Sequence, residues 1–132
     1  MNKDAILATI SVPTSFTNQR VSDLLCSAIE GGSDYWIDSL KRVGVPSFQK
    51  GGPQFLSEVP FVEGGALAVT CENPNAEGDM TVQITPSVMA AGLQLLADKY
   101  PKHFRDFVDE NDDADTADVW LQLCMFGEVV FS

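Results

Sequence analysis

Apolar and polar positions alternate near the start of the chain, where Ile6, Ala8, Ile10 and Val12 interleave with Leu7, Thr9 and Ser11. A period of two is that of a strand with one better-buried face, and Pro13 stops it because proline donates no ladder hydrogen bond. The period then changes. Thr17 stands as an N-cap, and Val21, Leu24, Leu25, Ala28 and Ile29 recur at helical spacing. Gly31 and Gly32 follow where a left-handed residue ends a helix, so the pattern predicts a helix from about 18 to 30. Residues 33–40 fit two periods: Ser33 suits the cap of a short helix, whereas Tyr35, Ile37 and Ser39 suit one face of a strand. The strand is the reading adopted for 35–40.

Between 44 and 65 the chain carries Pro46, Pro53 and Pro60 and five glycines, so a long irregular loop is expected there. Leu67, Val69 and Cys71 alternate on one side of Asn73-Pro74-Asn75-Ala76-Glu77-Gly78, and Met80, Val82 and Ile84 on the other, which predicts a β-hairpin. Thr85-Pro86 supplies an N-cap and a first-turn proline. The stripe Val88, Met89, Leu93, Leu95, Leu96 and Tyr100 then predicts a helix. Pro101 restarts the chain into a second short helix with Phe104, Phe107 and Val108 on its apolar face. Val119 to Phe126 reads as a largely buried helix, and Glu128 to Phe131 as a closing strand.

Length and composition place these elements in one soluble domain: 132 residues, 45% of them apolar, are enough for a core without disulfides or metal staples. Cys26, Cys71 and Cys124 are odd in number and sit among apolar neighbours, as small core residues of a reducing compartment do. The first ten residues lack the pattern of a secretory signal, and no apolar run reaches the roughly 20 residues of a membrane span. The expected location is the cytoplasm.

The net charge of -11 disfavours direct nucleic-acid binding, since phosphate contacts need Lys or Arg to displace counterions. The imbalance lies in the second half of the chain, where 12 acids face 3 bases. Seven acids, Asp106, Asp109, Glu110, Asp112, Asp113, Asp115 and Asp118, fall within thirteen residues that hold no base. With Asp109 as the first position of a calcium loop, Asn111 and Asp113 fall correctly. However, Ala114 replaces the turn glycine and Trp120 the bidentate glutamate, so no calcium site is expected. A structural role is available to Asp112, Asp113 and Asp115, because carboxylates at a helix start cap free amides and complement the dipole.

His103 is the only histidine, and the cysteines that would pair with it are read as buried thiols of low reactivity, so no catalytic residue is assigned. One histidine without clustered cysteines gives no zinc site, and no metal or other cofactor is expected. The glycine pairs match neither the dinucleotide fingerprint nor the phosphate loop and read as turns. Tyr35 and Trp36, adjacent aromatics after a flexible turn and flanked by carboxylates, read as anchors of a binding surface; the competing reading packs at least one of them into the core.

Two stretches together resemble small acidic proteins encoded in bacteriophage and prophage genomes. They are Glu30-Gly31-Gly32-Ser33-Asp34-Tyr35-Trp36, and Asp113 to Asp118 with Leu121-Gln122 and Phe126 to Phe131. The resemblance covers about a fifth of the chain and implies a genetic origin, with no catalytic residue to carry over. Many small phage proteins act by binding and disabling a host component, and an acidic face can occupy a basic nucleic-acid groove.

The sequence therefore predicts a single α+β domain over residues 1–132. A small, mainly antiparallel sheet, made of the first strand, the hairpin and residues 35–40, is covered by helices. The expected function is a non-enzymatic interaction protein, an acidic inhibitor of a host nucleic-acid-binding or defence protein in the bacterial cytoplasm. Asp109, Asp112, Asp113 and Asp115 are its electrostatic contacts, and Tyr35 and Trp36 its anchors. The alternatives are a small-ligand (nucleotide) binder with the 44–65 loop as lid, an enzyme using His103, and a virion or assembly component forming a homo-oligomer.

Overall fold

The computed structural model describes residues 1–45 and 51–132 of the chain. Thr17 accepts a hydrogen bond from the Arg20 amide and opens α1, Asn18–Ser27, whose Val21, Leu24 and Leu25 are buried. The predicted helix continues as a wider π turn over Ala28–Gly32, closed by the Ser33 amide on the Ala28 carbonyl at 2.7 Å. Tyr35 and Trp36 lie in the turn that follows. The strand β1 then runs Ile37–Val43, two to three residues later than the sequence pattern suggested.

The hairpin forms as expected, with β2 at Ala66–Glu72 and β3 at Asp79–Ile84. All three strands are antiparallel in the order β1-β2-β3, with Leu40 opposite Val69 and Val69 opposite Val82. A register shift between Ile37 and Ser39 bends the start of β1. The first predicted strand is absent from this sheet: residues 1–17 run without helix or strand, and Ile6, Leu7, Ile10 and Val12 are 77 to 101% exposed. The expected strand is therefore not formed: a period of two gives a segment the pattern of a strand, but a strand needs a partner edge, and this segment is not paired with any described strand.

Of the expected long loop, Pro46 to Lys50 lie outside the described residues. Part of the remainder is regular after all. A short 3₁₀ helix, Leu56–Phe61, packs against α1 and β2 with Ser57, Val59 and Pro60 buried, and Ser22 Oγ donates to the Ser57 carbonyl.

Thr85 caps α2, Pro86–Lys99, with Pro86 in its first turn. Pro101 opens α3, Pro101–Val108, and Asp113 caps α4, Ala114–Phe126. Helix α4 is the centre of the molecule. Its Trp120, Leu121 and Leu123 meet Leu24 and Leu25 of α1, Met89 and Leu96 of α2, Phe107 of α3 and the inner face of the sheet. Helices α2 and α4 lie close together where Gly92 faces Cys124; a methyl group at Gly92 would collide with the Cys124 sulfur. Gly127, in the left-handed region at φ 73°, ends α4. The residues beyond it form no strand of the sheet, in contrast to the predicted closing strand, because a side chain has taken over their hydrogen bonds.

Candidate partner-binding surface

That side chain is Gln122, fully buried on α4. Its Oε1 accepts from the amides of Val130 and Phe131, both at 2.8 Å. Its Nε2 donates to the Phe131 carbonyl and to Asp118 Oδ1, both at 3.1 Å. A single amide group thus pairs with residues 130–131 as a strand would, and holds the end of the chain against the helix. Phe131 in turn stacks on Trp36 with ring centroids 5.4 Å apart, and Phe126 closes the aromatic group.

Asp118, one turn before Gln122, organises the other wall. Its Oδ1 accepts from Trp36 Nε1 at 2.7 Å and from Ser33 Oγ at 2.9 Å, while its Oδ2 accepts from the Tyr35 hydroxyl at 2.7 Å. Every partner is a donor, which is what the acceptor-only oxygens of a carboxylate take. The turn can come this close because Gly32 lies on the start of α4: a Cβ there would run into the Ala114 carbonyl.

The result is a shallow depression of about 590 Å³ edged by Gly32, Tyr35, His103, Asp115, Asp118 and Phe131. Tyr35 as a residue is 53% exposed while its hydroxyl is wedged between Asp118 and the Phe131 carbonyl. Desolvation of that hydroxyl, then the hydrogen bond to Asp118 and its negative charge, push the phenol up to about 12.

The residues singled out from sequence divide into two groups. Tyr35 and Asp115 share the rim of this depression, and Asp109, Asp113 and Asp115 are exposed around the turn between α3 and α4. Trp36 and Asp112 face inward. Trp36 is 6% exposed and belongs to the core, so the packed alternative holds for it, and a partner would meet Tyr35 in its place. Asp112 pairs with Arg20 Nη2 at 2.6 Å, and the same nitrogen donates to the Phe107 carbonyl with the guanidinium 4.1 Å from the Phe107 ring centre. Arg20 thus commits Asp112 to the contact between α1 and the end of α3.

Asp113 fulfils the structural role open to it. It accepts from the Thr116 amide at 3.0 Å, and that bond, seconded by the Thr116 hydroxyl and the charge of His103, holds its carboxyl below the usual range. The hydroxyl of Thr116 lies 2.8 Å from His103 Nδ1. Asp, Thr and His side chains therefore meet, but in an order unsuited to nucleophilic catalysis. Thr116 is 1% exposed, and Asp113 is bonded to the threonine rather than orienting the imidazole. Burial raises all three thiols, Cys124 the most, leaving them as protonated, weakly nucleophilic groups.

A cavity of about 520 Å³ lies where the 44–65 loop was expected to act as a lid, between Gly51, Gly52 and Glu58 and the α1 residues Asn18 and Ser22. Sequence reasoning missed Ser33, Asp118 and Gln122 as the pins of the surface. Asp118 was one acid among seven, and its partners Ser33, Tyr35 and Trp36 lie 82 to 85 residues away. No family model matches the chain, and neither a curated protein nor a solved structure is detectably similar to it.

Proposed function

We propose that this chain is a phage- or prophage-encoded binding protein without catalytic activity, which acts on a host protein in the bacterial cytoplasm through Tyr35 and the carboxylates around the α3–α4 turn. The observation that carries this reading is the held Tyr35 ring. Its hydroxyl is fixed by Asp118 while more than half of its surface faces solvent. An aromatic already held in one orientation loses little conformational freedom on binding, the property that makes such residues interface anchors. Asp115 stands beside it on the same rim, and Asp109, Glu110 and Asp113 extend the negative field. Carboxylates in such an arrangement steer a basic surface into contact and fix its orientation. The partner class that fits is a host protein with a basic nucleic-acid groove, whose blockage would inhibit it.

The test is capture from bacterial lysate with the tagged chain at low and high salt, followed by direct binding to the identified protein. The expected partner is basic, is lost at high salt and is displaced by competing DNA. Tyr35→Ala weakens its affinity by about 30-fold or more, the scale of an anchor worth ~2 kcal/mol. Asp109→Lys with Asp115→Lys, which spares the Arg20 partner and the α4 cap, reduces both affinity and salt dependence. Unchanged binding in both variants would remove this surface as the contact.

A further inference from the structure

The segment with the clearest strand pattern is the one that forms no strand. From Ala5 to Phe16 the chain has no charged residue, its β-branched Ile6, Thr9, Ile10 and Val12 favour extended backbone, and Pro13 marks an end. Yet the backbone groups of Ile6–Val12 make no hydrogen bond to any described residue, and four large apolar side chains stand 77 to 101% exposed. A contiguous apolar stretch of this kind marks an interaction site rather than ordinary surface.

The sheet offers one edge suited to it. The outer edge of β1 carries Asp38, Lys41 and Arg42 and a register shift, the devices that discourage strand addition. The strand β3 is less guarded, with a charge only at its first residue, Asp79, and no register shift. Met80 to Ile84 is free of charge, its register with β2 is unbroken, and no described residue pairs with its far side. Its inner-face residues Met80 and Val82 are only half buried.

We infer that residues Ile6–Val12 add as a fourth strand to the β3 edge of a second copy of this chain, and that two copies exchange these strands reciprocally. The side-chain pattern fits this pairing. With Ile6, Ala8, Ile10 and Val12 on the inner face, they extend the row of Met80, Val82 and Ile84 and cover the two half-buried members. Thr9 and Ser11 then fall beside Thr81 and Gln83 on the polar outer face, and Leu7 is the one large apolar side chain of the segment that stays on that face. A one-residue slip would reverse both rows, so the pattern sets the face.

A second copy is favoured over an unrelated partner on two grounds. Among the described residues each chain holds one strand-patterned segment without a partner and, at Met80–Ile84, one open edge without charge or register shift, so a two-fold exchange joins the two in both copies. Each chain also carries a charge of -11, which opposes broad apposition of two copies, whereas both halves of this contact are uncharged and keep the acidic surfaces out of it.

The full chain is weighed in solution by sedimentation velocity from micromolar to near-millimolar concentration, beside a variant with Ala8→Pro and Thr9→Pro. Adjacent prolines remove ladder donors of both orientations, and the segment touches nothing in the fold that they could disturb. The expected result is twice the 14.3 kDa chain mass for the wild type and the single-chain mass for the variant, with unchanged helical circular dichroism. Hydrogen exchange gives the second readout: amides of Ile6–Val12 and of β3 gain protection as the wild type dimerises, and lose it together in the variant. A wild type that stays at the single-chain mass, a dimer that survives both prolines, or arm protection independent of concentration would each overturn the inference.

Discussion

Trp36 Nε1 lies 2.7 Å from Asp118 Oδ1, a hydrogen bond that ties the turn before β1 to the second turn of α4 across 82 residues of sequence. The same carboxylate accepts from Ser33, Tyr35 and Gln122, so its removal leaves several donors without a partner, those of the buried Ser33, Trp36 and Gln122 among them. Asp118→Ala is expected to cost about 3 kcal/mol, because unmet buried donors carry their full desolvation cost. At ~4 °C per kcal/mol for a domain of this size, the melting temperature falls by about 12 °C. Asp118→Asn keeps the acceptor for Trp36 and costs about 1 kcal/mol. Thermal melts of the two variants check the ordering, and equal losses would show that the network contributes only space-filling.

Tyr35 makes the same network sensitive to alkali. Its phenol keeps its proton in the folded chain up to about 12, whereas the unfolded chain releases it near 10. A raised folded value means that the contribution is complete below pH 10 and is lost as pH climbs from 10 towards 12. Tyr35→Phe lacks this proton, so its stability should decline less over that interval than that of the wild type. Denaturant titrations at a series of alkaline pH values decide the matter, and parallel decline in the two proteins would contradict the assignment.

Local signals carried most of the fold. Thr17, Thr85-Pro86 and the turn formers between Cys71 and Met80 act through neighbours within a few residues, and the elements they predict are present. What sequence could not supply was long-range pairing. Ile6–Val12 has the alternation of a strand, but alternation says nothing about which edge will receive it. Glu128 to Phe131 fits a strand because its apolar residues seek cover, and they find it under Trp36 and Gln122 instead. The acidic run was visible as charge. The cap of Asp113 on Thr116 is a local contact that the sequence already offered, whereas the ion pair of Asp112 and the pin of Asp118 depended on Arg20 and Trp36, each placed by the tertiary fold.

Gly92 provides a prediction whose sign separates propensity from packing. In an exposed helix interior, Gly→Ala stabilises by about 1 kcal/mol. Here the added methyl meets the Cys124 sulfur and lies close to the Trp120 indole nitrogen, so Gly92→Ala should destabilise by about 2 kcal/mol through overpacking. Cys124→Ala opens the space, and the double variant should recover about 1 kcal/mol relative to additivity. A double-variant cycle by denaturant unfolding measures that coupling. Stabilisation by Gly92→Ala alone would mean that α2 and α4 are further apart than described.

Asp113 gives the acid counterpart to Tyr35. Its folded value is depressed below the ordinary 3.8, first by the Thr116 amide, so its contribution is present above that value and fades as pH falls through the folded one. Asp113→Ala should cost about 1 kcal/mol near neutrality, the usual worth of an N-cap, with the difference from wild type shrinking in acid. Asp113→Asn retains a capping oxygen and should remain near wild type at neutral pH while losing the acid dependence attached to this residue. Acid unfolding curves of the three proteins test this, and a pH-independent difference for the alanine variant would exclude the carboxylate as its source.

Gln122 is the residue through which the last segment of the chain is attached, and its two atoms have separable roles. Gln122→Ala removes the acceptor for the Val130 and Phe131 amides and the donor to Phe131 and Asp118. It is expected to cost about 3 kcal/mol and to speed hydrogen exchange at residues 130 and 131 well before the α4 amides exchange. Gln122→Glu keeps oxygens for the two amides but sets a second carboxylate against Asp118 where a donor had been. Two carboxyl groups in one site resist simultaneous ionisation, so this variant should be poor at neutral pH and recover relative to wild type as the pH is lowered and the pair takes up a proton. If the glutamate variant instead matched the alanine variant at every pH, the amide-like pairing of Gln122 with the chain end would not be what holds it.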